Sequence, residues 1–156
     1  MSDKSRASLI LDWYANHFET LVPGTGDDDY KYGYSLVTRS PMTGIQKGKA
    51  LAMGVYGGTQ ERTFKSHPKT QVAMQVILEI YYYREQGKNP IEVLEQLVQE
   101  AERRVMEDER VGGLAINCNV VSSVTEADGR FDNYSEAALV MEVLFQHHRT
   151  DPRRSV

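Results

Sequence analysis

The chain has 156 residues, 40% of them hydrophobic and 26% charged, with a formal net charge of −4. This balance excludes a disordered chain, which lacks the apolar surface to offset the entropy of ordering, and it excludes a basic field that would draw the whole protein onto nucleic acid. The length suits one domain, no apolar run approaches the roughly 20 residues that cross a bilayer, and the start Met-Ser-Asp-Lys has no signal-peptide core, so a cytoplasm is the expected place of synthesis and residence.

Residues 5–21 read as an amphipathic helix, because Ala7, Ile10, Leu11, Tyr14, Phe18 and Leu21 recur at helical spacing. Ser5 or Asp3 is the expected cap, and Val22-Pro-Gly the expected stop. Asp27, Asp28 and Asp29 follow in a solvated loop, since a calcium loop needs more oxygen ligands at set spacings. Tyr32–Arg39 is a short strand candidate. Pro41–Pro68 is glycine-rich, with Gly44, Gly48, Gly54, Gly57 and Gly58. Its halves, Lys49–Tyr56 and Thr59–Lys65, are expected to pair as a hairpin through the Gly57-Gly58 turn. A phosphate loop at Gly48-Lys49 is rejected: Gly44 is wrongly spaced, and Ala50 follows the lysine where Ser or Thr is needed.

Thr70–Tyr83 is the clearest strand. Val72, Met74, Val76, Leu78 and Ile80 alternate with Gln71, Ala73, Gln75, Ile77 and Glu79, a period of two that no helix face gives. Tyr81-Tyr-Tyr83 reads as strand-end aromatics rather than a base-stacking platform, because no run of Lys or Arg accompanies it. Asn89 then caps a helix with Pro90 at its first position. Ile91, Leu94, Val98, Ala101 and Val105 form its apolar face, and it is expected to end near Glu109, before Gly112-Gly113.

Leu114–Arg149 reads as two long strands joined by a polar turn. Leu114, Ile116, Cys118 and Val120 alternate in the first, and Ala137, Leu139, Met141, Val143 and Phe145 in the second. The link Glu126–Asn133 carries an Asp128-Gly129 turn step. The tail, residues 149–156, is polar, and Pro152 argues against further strand. The expected architecture is therefore α+β: an antiparallel sheet of about four or more strands with two helices packed on one face. It forms a single domain, 1–156, with a glycine-rich hairpin or loop excursion at 41–68.

No catalytic constellation emerges. His147 and His148 are neighbours on a strand and point to opposite faces, His17 and His67 are scattered, and zinc needs three or four convergent ligands. Cys118, the one cysteine, falls on an apolar strand face and reads as a small core residue; it fits a reducing compartment. Ser122, Ser123 and Ser135 lie in no nucleophile elbow. Glu79, Glu136 and Glu142 read as solvated strand glutamates. The expectation is a protein that is not an enzyme and takes no cofactor and no metal.

Four stretches carry a resemblance: the N-terminal helix Ser5–Leu21, the glycine-rich excursion Pro41–Pro68, the strand Thr70–Tyr83 followed at once by the helix Pro90–Glu107, and the closing hairpin. That hairpin runs through Gly113-Leu-Ala-Ile-Asn-Cys-Asn-Val, then Asp128-Gly-Arg-Phe, then Tyr134-Ser-Glu-Ala-Ala-Leu-Val-Met-Glu-Val. In layout the chain resembles the tail terminator (tail completion) proteins of long-tailed bacteriophages, the group of the lambda minor tail protein U. The likeness is one of architecture over most of the chain and has no diagnostic motif. It implies a homo-oligomer, usually a ring of six copies. Such a ring caps the tail tube, ends its polymerisation and offers the joint to the head connector or neck. The implied location is the head-proximal end of the tail in the virion, and the host cytoplasm during assembly. The implied partners are the tail tube and neck proteins, with no membrane and no sequence-specific nucleic acid.

A ring needs heterologous contacts. Val140 and Leu144, on the outer side of the last strand, are candidates for one. Lys47, Lys49, Arg62 and Lys65 give Pro41–Pro68 a positive balance, and this segment is expected to act between subunits or toward the tube rather than in the core. The alternative readings are a head-completion or neck protein of similar architecture, or a small cytoplasmic ligand-binding domain or enzyme with a pocket of convergent polar groups.

Overall fold

The computed structural model describes residues 4–41, 51–65, 68–129 and 133–154. Two helices and five strands follow in the order α1 (Arg6–Glu19), β1 (Leu36–Thr38), β2 (Leu51–Phe64), β3 (Lys69–Tyr83), α2 (Pro90–Met106), β4 (Asn117–Glu126) and β5 (Tyr134–His148). The strands form one sheet in the order β1-β2-β3-β5-β4.

The fold is α+β, as expected, but the sheet is mixed. β2, β3, β5 and β4 pair antiparallel, whereas β1 runs parallel to β2 with Leu36 opposite Ala52 and Thr38 opposite Gly54. A parallel neighbour needs a return of roughly a dozen residues, and the stretch between Thr38 and Leu51 supplies it. The expected hairpin through Gly57-Gly58 does not form. β2 continues through both glycines, and they sit at a bulge between Gly57 and Gln60 in its pairing with β3. The hairpin partner of β2 is β3.

β3 and β5 carry the core. Val72, Met74, Val76, Leu78 and Ile80 are buried on β3, and Ala137, Leu139, Met141, Val143 and Phe145 on β5. Register places Val76 opposite Met141 and Leu78 opposite Leu139, so the two alternating sets share one face. One buried cluster joins this set to Ile10, Leu11, Tyr14 and Phe18 of α1 and to Val93, Leu94, Leu97 and Val98 of α2. Each such side chain withdrawn from water contributes about 1.5–3 kcal/mol. Leu51, Met53 and Val55 belong to the same cluster. The first part of β2 is thus core, contrary to the expectation that Pro41–Pro68 acts wholly outside it, because strict alternation is not required where both faces of a strand are covered.

The helix ends are satisfied locally. Ser5 caps α1, its Oγ accepting from the Ser8 amide at 3.1 Å; Asp3 lies outside the described residues. Asn89 caps α2, its Oδ1 accepting from the Ile91 amide at 3.1 Å, with Pro90 just inside. Arg103 and Arg104 in the last turn complement the helix dipole.

The turn from α2 to β4 is built on positive φ at Val111 (53°), Gly112 (62°) and Gly113 (84°). Asp108 holds it, accepting from the Arg110 and Gly112 amides at 3.1 and 2.9 Å. The strain at Val111 is offset by complete burial of its side chain. This turn delays β4 to Asn117, so Leu114 and Ala115 precede the strand and Ile116 is 40% exposed rather than buried.

Candidate interaction surface

The pleat that buries Val76 and Met141 turns the intervening residues the other way. On this second face Ile77 lies opposite Val140, Ala73 opposite Leu144 and Glu79 opposite Ala138. These residues are half-buried in the monomer. Tyr56 of β2 stands beside Ile77, and Ser122 of β4 beside Val140. A small separate cluster, Ala52, Tyr81 and Tyr134 with Leu36 against it, lies toward one end of this face and contains no helical residue.

Tyr56 and Tyr81 both donate their hydroxyls to the Glu79 carboxylate. Nearby, a hollow of about 220 Å³ is lined by Glu79, Tyr81, Val124, Glu126, Glu136 and Ala138. It is shallow and falls below the 300–1,000 Å³ usual for small-molecule sites. Among the described residues no group of three or more His, Cys, Asp or Glu side chains is placed to hold a metal ion.

The candidate residues separate in space. Val140 and Leu144 share the second face. Arg62 is paired with Val72 and so belongs to the opposite, core-bearing face; it is exposed near the end of β2, where its Nη2 donates to the Gln60 side chain at 3.0 Å. Lys65 is exposed just beyond β2. Lys47 and Lys49 lie outside the described residues. The structure thus places Arg62 on one face of the sheet and Val140 and Leu144 on the other.

One long edge of the sheet has no described strand beyond it. β4 is the last strand in the order, and a bulge between Val120 and Ser122 interrupts its pairing with β5. Val121 and Val124 on it are 62% and 55% exposed. Sequence alternation does not foresee the exposure of Val124, because the bulge shifts the phase of every residue beyond it.

His17 is another residue whose setting sequence reasoning missed. It stacks on Trp13 with ring centroids 4.4 Å apart and bonds to the last turn of α2. Cys118 is 1% exposed beside Tyr14, and burial pushes both the thiol and the phenol upward in pKa. Neither group is set up for chemistry: a thiol held protonated is a poor nucleophile.

No protein-family model matches the chain, and no curated protein matches its sequence. Among the described residues no helix is long and apolar enough to cross a membrane.

Proposed function

We propose that this protein is a structural assembly protein of the bacteriophage tail-terminator kind. Its copies form a ring, of six in the expected case, that caps the tail tube, ends its polymerisation and presents the joint for the neck. The reading begins from the resemblance of the sequence layout. The observation that supports it most is apolar surface away from the main core: the Ile77–Val140 pair and, beyond the exposed Gln75–Glu142 pair, Leu144 on the second sheet face, with Val121 and Val124 on the adjoining edge strand. Apolar side chains left partly exposed on a sheet face and its edge suit contact with another polypeptide.

Native mass spectrometry with negative-stain imaging tests the ring, and addition of the purified protein to polymerising tail tube protein tests the cap. The expected results are a discrete closed oligomer and tubes arrested at the length reached on addition. A protein that stays monomeric at high concentration and leaves tube growth unchanged overturns the proposal.

A further inference from the structure

We infer that the outer edge of β4 in one copy pairs antiparallel with the Val55–Phe64 edge of β2 in the next, so that the sheet runs on from copy to copy. This rests on the ring reading above and names the contact that closes it.

The first observation is the chemistry of β4. Its ten residues, Asn117–Glu126, include one charge, Glu126, and no lysine, arginine or proline. Natural edge strands are normally blunted by such residues, because their free N–H and C=O groups template pairing with another chain. Here the bulge at Val121 is the one such device, and two exposed valines stand on the strand instead.

The second observation is a matching stretch of β2, on the far side of the sheet, that no described strand accompanies. β2 has 14 residues, but β1 accompanies only its start: the described pairs end at Gly54, and the Ser35 amide bonds to the Leu51 carbonyl at 2.9 Å. From Val55 to Phe64 no described strand lies alongside, and all but the first two of these residues are exposed. The stretch without a described neighbour is ten residues long, the length of β4.

Direction and phase then agree. β1, β2 and β5 run one way, β3 and β4 the other. A second copy set beside β4 with its core face on the same side therefore brings β2 in antiparallel, the stronger pairing. Keeping both faces in phase places Glu126 beside Tyr56, Val124 beside Gly58 and Asn119 beside Thr63. Each strand carries one bulge, so the phase is kept at both ends of the contact. Because the two edges differ, the contact is heterologous, and its repetition generates a ring if the rotation closes.

Lysines placed on one edge at a time test the inference. The β4 variant is Val121→Lys with Val124→Lys; the β2 variant is Thr59→Lys with Thr63→Lys. All four positions are exposed, so each variant should melt as the wild type does. The expected result is complete loss of the ring in each variant alone and, on equimolar mixing, a 1:1 dimer and nothing larger, because each retains one open edge complementary to the other's. If the wild type forms rings and either variant still does so, the edge contact is wrong and the ring reading stands. A β2 variant that dimerises alone points to β4-on-β4 pairing and also overturns the inference. A wild type that stays monomeric overturns the ring reading and this inference together.

Discussion

His17 and Arg104 exchange hydrogen bonds across the contact between α1 and α2. The imidazole Nε2 donates to the Arg104 carbonyl at 2.8 Å, and the Arg104 guanidinium donates back to the His17 carbonyl, at 3.2 Å from Nε and 2.8 Å from Nη2. A carbonyl only accepts, so Nε2 carries a proton and the neutral ring has that tautomer. Trp13 covers the ring on one side.

This arrangement sets a pH dependence. Burial holds the imidazole below its ordinary value of 6.5, and the Arg104 charge adds to the effect; the bond to the Arg104 carbonyl, Glu107 and Asp108 oppose it. The unfolded chain therefore takes up this proton first as pH falls. The stability linked to His17 is fully present above 6.5 and declines as pH drops below it through the lowered folded value. Asp12 and Asp151 do not share that window: both carboxyls lie below their ordinary 3.8, so their losses come only in stronger acid. The check is an NMR titration of the His17 ring with urea melts at pH 7.5 and 5.5. A ring that titrates at or above its ordinary value sinks the argument.

Val76 is fully buried between Met141 on β5 and Gly57 on β2. Val76→Asp puts a charge there with no partner, at a cost of several kcal/mol, comparable with the roughly 5–15 kcal/mol that holds a whole domain. The expected outcome is loss of a cooperative melt. Val22→Asp, at a site 80% exposed, should shift stability by no more than about 0.5 kcal/mol. Equal melting temperatures for the two variants would refute the placement of Val76.

Two glycines with positive φ should respond differently to alanine. At Gly112, φ is 62° and an added Cβ would stand 2.5 Å from the Trp13 Nε1. Gly87 has φ of 85° with open space around it. Gly87→Ala should therefore cost only the left-handed backbone penalty, about 1–2 kcal/mol. Gly112→Ala should cost more, since the indole that covers His17 must also move. Denaturant midpoints compare them, and a Gly112→Ala protein at least as stable as Gly87→Ala would contradict the Trp13 contact.

Cys118 should be silent to thiol reagents in the native protein. Its side chain is buried and its thiol is held protonated by that burial. Labelling should proceed at the rate of global unfolding and speed up with urea. Rapid stoichiometric labelling without denaturant would show the strand face open.

Much of the fold is legible along the chain. The alternation in Thr70–Tyr83 and in Ala137–Phe145 identifies β3, β5 and the buried face of each, because side-chain direction on a strand is a local property of period two. The caps Ser5 and Asn89 are equally local, each a side chain bonding to an amide two or three residues on. The candidate surface was legible only in part. Val140 and Leu144 can be assigned to the outer side of β5 from alternation, but Arg62 cannot be assigned a face without the β2 pairing, and nothing local marks His17 as the clasp on α2.

The sequence by itself determined the class of the fold, the two helices with their capped starts, the two central strands and the burial of Cys118, since each follows from spacing within one segment. Tertiary structure decided the rest: that β1 lies parallel to β2, that Gly57-Gly58 makes a bulge and not a turn, that Leu51–Val55 is core, and that β4 is the last strand of the sheet. Among the described residues, no strand accompanies the outer side of β4 or the second half of β2. All of these depend on which segment lies beside which. A strand is central or peripheral, and a glycine pair a turn or a bulge, only through hydrogen bonds to residues far away in the chain, and no spacing within a segment encodes those partners.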